Sequence, residues 1–228
     1  RRRGFASLFP GVDVRLLTLP INFWVPFGRE LLLWLGICSA ERQTFRRILS
    51  ERTPRSVAVV VGGADEAVLS VPGTIQLYLE RRKGFVREAV ASGASLVPVV
   101  AFGETDLYDT TQLHGVLQRL QAIATKVFTF SLPIFHGRGV FFRDGVGVVP
   151  YRRSIVVVVG RAIAPPRIAG FDPKRFAAHH HAVDELHRRY VAALVELYDT
   201  HKDAPWNDAG LRRTRTSRGG GLTMAPSD

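Results

Sequence analysis

Short runs of β-branched residues alternate along this chain with segments of helical period, and that alternation restricts it to a layered α/β architecture. Residues 56–61, 95–101 and 155–159 are Val-rich runs, and 14–19 and 74–79 are shorter ones. The run 56–61 stops at Gly62-Gly63, the pattern of a strand buried on both faces that opens into a tight loop over 62–73. Between the runs, helical spacing predicts helices over 26–35, ended by Gly36, and over 85–92, closed by Gly93. Ser39 reads as the N-cap of a helix over 40–52, with Glu41 in its first turn and Phe45, Ile48 and Leu49 on its inner face. A further helical period covers 110–127, and 133–142 reads as an irregular Gly-rich stretch. Phe176, Val183, Leu186, Tyr190, Leu194, Leu197 and His201 recur at three- and four-residue steps, predicting a long amphipathic helix laid on one face of the sheet. The expected fold is a central mixed sheet with helices on both faces.

With 228 residues, 46% of them hydrophobic, the chain is long enough for one continuous core. The expected division is a domain over 1–202 and a basic, unordered tail over 203–228, where Arg212, Arg213, Arg215 and Arg218 precede Gly219, Gly220 and Gly221. The sequence opens on Arg1 and its only methionine is Met224, so it reads as a fragment or a processed product. A formal charge of +11 draws polyanions: nucleic acid, an anionic membrane or a phosphorylated cofactor such as coenzyme A. The aromatics cluster in apolar segments and not between basic residues, which argues against nucleic acid. A lone cysteine, Cys38, excludes an internal disulfide framework and reads as a small apolar residue. Residues 21–38 are the most apolar stretch, but Asn22, Pro26, Gly28, Arg29 and Glu30 interrupt it too often for a membrane span. Its Phe23, Trp24, Phe27 and Trp34 read either as core or as a segment lying in a membrane interface.

Four groupings of polar residues bear on chemistry. The loop Gly62-Gly63-Ala64-Asp65-Glu66 follows a strand directly, where open α/β sheets present functional loops, although a tight turn with solvated acids explains it as well. It matches neither the dinucleotide fingerprint nor a P-loop. Glu104, after the run 95–101, shares an edge with Glu66 if the two strands are parallel neighbours; otherwise it is an ordinary exposed acid. Arg81, Arg82 and Lys83 stand just ahead of a helix start, which suits either a docked phosphate or a solvated charged turn. His179 and Asp184 match the His-x-x-x-x-Asp spacing used in acyl transfer to hydroxyls, but five residues apart on a helix they diverge by about 140°. There is no Gly-x-Ser-x-Gly elbow, and no spacing of cysteines and histidines suits a structural metal.

In order, the chain carries Phe9-Pro10-Gly11, Gly36-Ile37-Cys38, Val60-Val61-Gly62-Gly63-Ala64-Asp65-Glu66 with Pro72-Gly73, and Arg82-Lys83-Gly84-Phe85-Val86. Leu96-Val97-Pro98, Phe102-Gly103-Glu104, Ile134-Phe135-His136-Gly137-Arg138-Gly139 and Val148-Val149-Pro150-Tyr151 follow. This series resembles the type 2 diacylglycerol acyltransferases over about residues 5–202. The resemblance implies a glycerolipid-acyltransferase-like fold and transfer of a fatty acyl group from acyl-CoA to diacylglycerol or a related lipid alcohol. It also implies a membrane surface at the endoplasmic reticulum or lipid droplet, with no metal and no cofactor beyond acyl-CoA as co-substrate. That family places a His-Pro-His-Gly motif, source of its general base, ahead of the region corresponding to Arg1, and this sequence does not contain it. Within the chain, the resemblance implies an orienting or polar-network role for Glu66, coenzyme A phosphate contacts for Arg82 and Lys83, and pocket positions for Glu104 and His136. Relatives that acylate monoacylglycerol or long-chain alcohols, and a non-catalytic remnant that binds membrane or acyl-CoA, are the competing expectations. Self-association, as a homo-oligomer, is left open.

Overall fold

The computed structural model describes residues 4–50, 55–61, 75–77, 79, 82–104, 107–110, 135–138, 146–147, 149–172, 179–204 and 222–224. The chain forms two compact units, Arg1–Val61 with Gly84–Leu96 and Ala164–Leu186, and Gly62–Lys83 with Val97–Ile163 and His187–Asp228. Both mix helices with strands, as the alternation predicts. The described strands lie in four small sheets of two or three strands, parallel in two and antiparallel in the others, and not in one central sheet.

In the first unit, α1 (Phe5–Leu8) leads into β1 (Asp13–Thr18), a 3-10 turn (Pro20–Trp24), α2 (Gly28–Trp34), β2 (Cys38–Ser39), α3 (Arg42–Ser50) and β3 (Arg55–Val59). The strands form a parallel sheet in the order β2-β1-β3, with Leu17 opposite both Cys38 and Val59. Parallel neighbours need a crossover between them, and the helical segments α2 and α3 supply the two crossovers. The end of α2 follows the expectation: Gly36 and Ile37 donate their N–H groups to Leu33 O at 3.0 Å and Leu32 O at 2.9 Å, satisfying carbonyls the helix leaves open.

Ser39 corrects its predicted role. It belongs to β2, where it pairs with Thr18 of β1, and the following Ala40 N–H donates to Thr18 O at 2.8 Å. The helix begins at Arg42, and Glu41, whose carbonyl accepts from Phe45 N–H, stands ahead of the first turn. Pairing with β1 outweighs the local capping preference. β3 also differs from its expectation: its residues are half-buried or exposed, and Val60 just beyond it is 79% exposed. Its one described neighbour is β1, so the Val-rich composition marks a strand without marking a central one.

Ile48 of α3 is buried, as are Val86, Ala89 and Val90 of α4 (Gly84–Ser92). Between these helices Arg46 grips the buried Glu88 in a two-point fork, Nε to Oε2 at 2.8 Å and Nη2 to Oε1 at 3.3 Å. A buried carboxylate requires such a partner, because desolvation without one disfavours its charged form. The hydrogen bond to Glu88 also holds the Arg46 guanidinium above its ordinary pKa.

Residues 21–35 are not core. Trp24, Phe27 and Trp34 are 84%, 89% and 82% exposed, and α2 contains no buried residue. Among the described residues, no helix is long and apolar enough to cross a membrane.

The second unit holds β4 (Ile75–Leu77), β5 (Val99–Phe102), β6 (Asp109–Thr110), β7 (Phe135–Arg138), β8 (Val146–Gly147), β9 (Val156–Val159) and β10 (Leu222–Met224). β5 pairs antiparallel with β9, β7 lies between β6 and β8, and β10 pairs parallel with β4. β10 thus falls inside the stretch that composition reads as an unordered tail. The long helix α5 (His180–His201) carries buried Val183, Leu186, Tyr190 and Leu194, as the periodicity predicts. Toward its end Tyr198 is buried where the period expects Leu197 and His201, and these two are half-buried; Phe176 lies outside the described residues. The two units divide within it, between Leu186 and His187.

Candidate functional site

Three motif segments far apart in the sequence adjoin one another in the second unit. β5 delivers Phe102, then turns at Gly103, which has a φ of 84° and whose Cβ, if it had one, would lie 2.5 Å from Ser154 O. Only glycine meets both demands. Glu104 follows, exposed, and its carbonyl accepts from Leu107 N–H at 3.2 Å to close the turn. Leu107 O in turn accepts from Tyr151 N–H at 2.8 Å, which brings in the Val-Val-Pro-Tyr segment.

β6 then pairs antiparallel with β7, setting Asp109 opposite His136 and Thr110 opposite Phe135. The Phe-His-Gly-Arg segment is therefore a strand, where glycine content predicts irregular chain. Its glycine has a packing role: Gly137 is buried, and a side chain there would strike Val149 O and come within 3.3 Å of the Tyr108 ring. Phe102, at the head of the cluster, is buried and stacked on Tyr198 of α5, with ring centroids 5.6 Å apart and planes 14° from parallel. Burial pushes the Tyr198 phenol above its ordinary pKa, so it stays neutral in this contact.

The cationic turn is anchored on the same helix. Leu79, with no exposed surface, presents a carbonyl that accepts from Arg82 N–H at 3.0 Å and from His187 Nε2 at 2.9 Å. A carbonyl only accepts, so Nε2 of the buried His187 carries the proton. Arg82 is exposed beyond this anchor and Lys83 is half-buried. His187 and Tyr198 stand eleven positions apart on α5, about 16 Å along its axis, and they fix the turn and the Phe102-Gly103-Glu104 segment respectively.

Of the residues singled out from sequence, Glu104 and His136 are thus brought onto adjoining elements, and Arg82 and Lys83 onto a separate turn. Glu66 and Arg81 lie outside the described residues. β3 pairs with β1 and β5 with β9, so the parallel adjacency that would carry Glu66 and Glu104 to a shared edge is not formed by these strands among the described residues. His179 packs its ring on Phe171, centroids 5.9 Å apart. Among the described residues, no three His, Cys, Asp or Glu side chains cluster as a metal ion requires. Sequence reasoning missed His187 and Glu88. His187 gives one signal, a polar residue four positions after Val183 on the apolar face of its helix, whereas Glu88, two positions from Val86 and Val90, lies off their face and gives none.

The Diacylglycerol acyltransferase family matches residues 2–208. The chain is 41% identical to Diacylglycerol O-acyltransferase 2A of Umbelopsis ramanniana, over 88% of this chain and 56% of that protein. It is 39% identical to human Acyl-CoA wax alcohol acyltransferase 1, over 87% of this chain and 59% of that one. It is 37% identical to human 2-acylglycerol O-acyltransferase 1, over 87% and 58%. The chain spans less than three-fifths of the length of these relatives. No solved structure matches it. With a family match over nearly the whole chain, the chain belongs to the type 2 diacylglycerol acyltransferase family.

Proposed function

We propose that this chain is part of an acyl-CoA-dependent O-acyltransferase that moves a fatty acyl group onto diacylglycerol to give triacylglycerol, at the endoplasmic reticulum membrane and the lipid droplet. The observation that carries the reading is the family match over residues 2–208, to which the relatives' names add acyl transfer to lipid hydroxyls. In this reading a histidine of the upstream His-Pro-His-Gly segment removes the acceptor hydroxyl proton. The oxygen attacks the thioester carbonyl, the C–S bond breaks, and coenzyme A leaves as a thiolate that takes up a proton. No metal and no further cofactor enters.

The residues of this chain bind and position. Arg82 and Lys83 contact the coenzyme A phosphates, and Glu104 and His136 line the pocket where the acyl group is handed over. The spacing of about 16 Å between their two anchors on α5 supports this division, because coenzyme A carries its phosphates at one end and its thioester at the other. Glu66 orients the base or its polar network. A long-chain alcohol or a monoacylglycerol as acceptor is the second reading, favoured by the relatives named for those substrates.

The donor assignment is tested in the enzyme extended upstream. Arg82→Ala with Lys83→Ala raises the apparent KM for acyl-CoA by about tenfold and leaves that for the lipid acceptor near its starting value, since charge-assisted contacts to phosphate affect the donor alone. Added salt reproduces the effect in the unaltered enzyme and does less in the variant. Equal rises for both substrates would show damage to the fold. The Glu66 assignment predicts that Glu66→Gln, which keeps shape and removes charge, lowers kcat more than about tenfold at unchanged expression. Unchanged turnover would return Glu66 to a solvated turn.

A further inference from the structure

The first unit exposes far more apolar surface than a freely soluble face carries. Trp24, Phe27 and Trp34 are 84%, 89% and 82% exposed, and these three rings alone offer roughly 400–600 Å². That already equals the largest apolar patch on an ordinary monomer, before Val25, Leu31, Leu33 and Leu35, each more than half exposed, are added.

The distribution of these residues says what covers them. Successive helical positions turn by about 100°, so Leu31, Leu33, Trp34 and Leu35 point to most of the circumference of α2 and not along one stripe. Rings and aliphatic stems spread over several sides, with Arg29 and Glu30 among them, suit the graded boundary of a bilayer, where side chains enter to different depths and the charged heads stay near water. At seven residues, α2 is about 10 Å long, too short to span and suited to lie at the headgroup boundary. The residue types fit that depth, because tryptophan concentrates at membrane interfaces. Arg29 shares an open hollow of about 700 Å³ with Phe23, Trp24 and Leu33, placing a cation among the rings as a phospholipid headgroup requires. The first fifty residues contain eight arginines against three acids, a balance that attracts an anionic leaflet.

From these observations we infer that the surface formed by Trp24, Phe27, α2 and Leu35 is a membrane-docking face that inserts into the interface of an anionic phospholipid bilayer, with Arg29 at headgroup level. The proposal deepens the membrane-surface reading above by naming its residues. Its test measures no acyl transfer, so its failure would leave the proposed reaction standing.

The probe is the full 228-residue chain with vesicles of phosphatidylcholine and phosphatidylserine. Flotation is expected to carry the chain with the vesicles and to persist at high salt, because apolar insertion is not screened. In a Trp206→Phe background the remaining fluorescence reports Trp24 and Trp34, and lipids brominated in the acyl chain are expected to quench it. Trp24→Ser with Phe27→Ser and Trp34→Ser is expected to weaken vesicle binding by about tenfold or more with an unchanged circular dichroism spectrum. The quenching arm needs none of these serine substitutions, so the proposal stays testable if the triple variant fails to fold. Flotation lost in salt, with no quenching, would mean adsorption by net charge alone and would overturn the proposal. So would a triple variant that binds vesicles normally while sedimentation equilibrium shows it to have lost a dimer, since the face would then belong to a second copy.

Discussion

Residues 1–228 alone, supplied with labelled acyl-CoA and diacylglycerol in vesicles, are expected to form no labelled triacylglycerol, and extension upstream through the His-Pro-His-Gly segment is expected to restore the product. The expectation follows from where the reading places the base. A general base contributes about 10²–10⁴-fold, so a chain without one falls below such an assay even when donor and acceptor bind. The single internal match to an acyltransferase histidine pair fails on geometry: the His179 ring packs on Phe171, and Asp184 stands five positions on, about 140° around a helix. His187 is buried, which keeps its ring from an acceptor hydroxyl arriving from outside. Product from the short chain that disappears with His136→Ala would relocate the base to β7. Product absent from the extended chain as well would favour the non-catalytic remnant.

The elements legible in the sequence are those whose signals are local. The ends of α2 and α4 at Gly36 and Gly93, and the apolar face of α5, need only a few neighbouring positions to be read. Where a partner distant in sequence decides, local reading fails. Ser39 has the chemistry of an N-cap, yet Thr18 recruits it into a sheet. The Phe-His-Gly-Arg segment has the composition of a loop, yet Gly137 is small because Val149 O passes against it, a requirement invisible until both strands are placed. The run 95–101 reads as a strand and β5 occupies Val99–Phe102, but nothing in Val-Val-Ala-Phe announces that its neighbour is antiparallel β9. Residues 21–35 show a different limit: their composition fits burial in protein and burial in lipid equally, and only exposure separates the two. At the candidate site, motif order singles out Glu104 and His136 as candidates, while the anchoring contacts of His187 with Leu79 and of Tyr198 with Phe102 are ones that sequence spacing does not encode.

Gly103 gives the sharpest test that the clustered motifs form a working site. In the enzyme extended upstream, Gly103→Ala is expected to lower kcat by more than about tenfold, because a 1 Å displacement of a positioned group can cost on the order of a hundredfold. Two penalties coincide at this residue. Its φ of 84° lies in the left-handed region, where a Cβ costs roughly 1–2 kcal/mol. The added methyl would also stand 2.5 Å from Ser154 O, a backbone atom that cannot swing aside as a side-chain tip does. Relief therefore comes by moving the chain, and the chain that moves is the turn holding Glu104 beside Leu107 and Tyr151. The control is Gly93→Ala, at the end of α4: its φ of 67° imposes comparable backbone strain, but a Cβ there meets nothing within 4 Å. Both variants should lose similar stability from strain, measured by thermal melting, and only Gly103→Ala should lose turnover beyond it. If the two lose activity in parallel, the effect is general destabilisation, and the turn at Glu104 has no positioning role in the reaction.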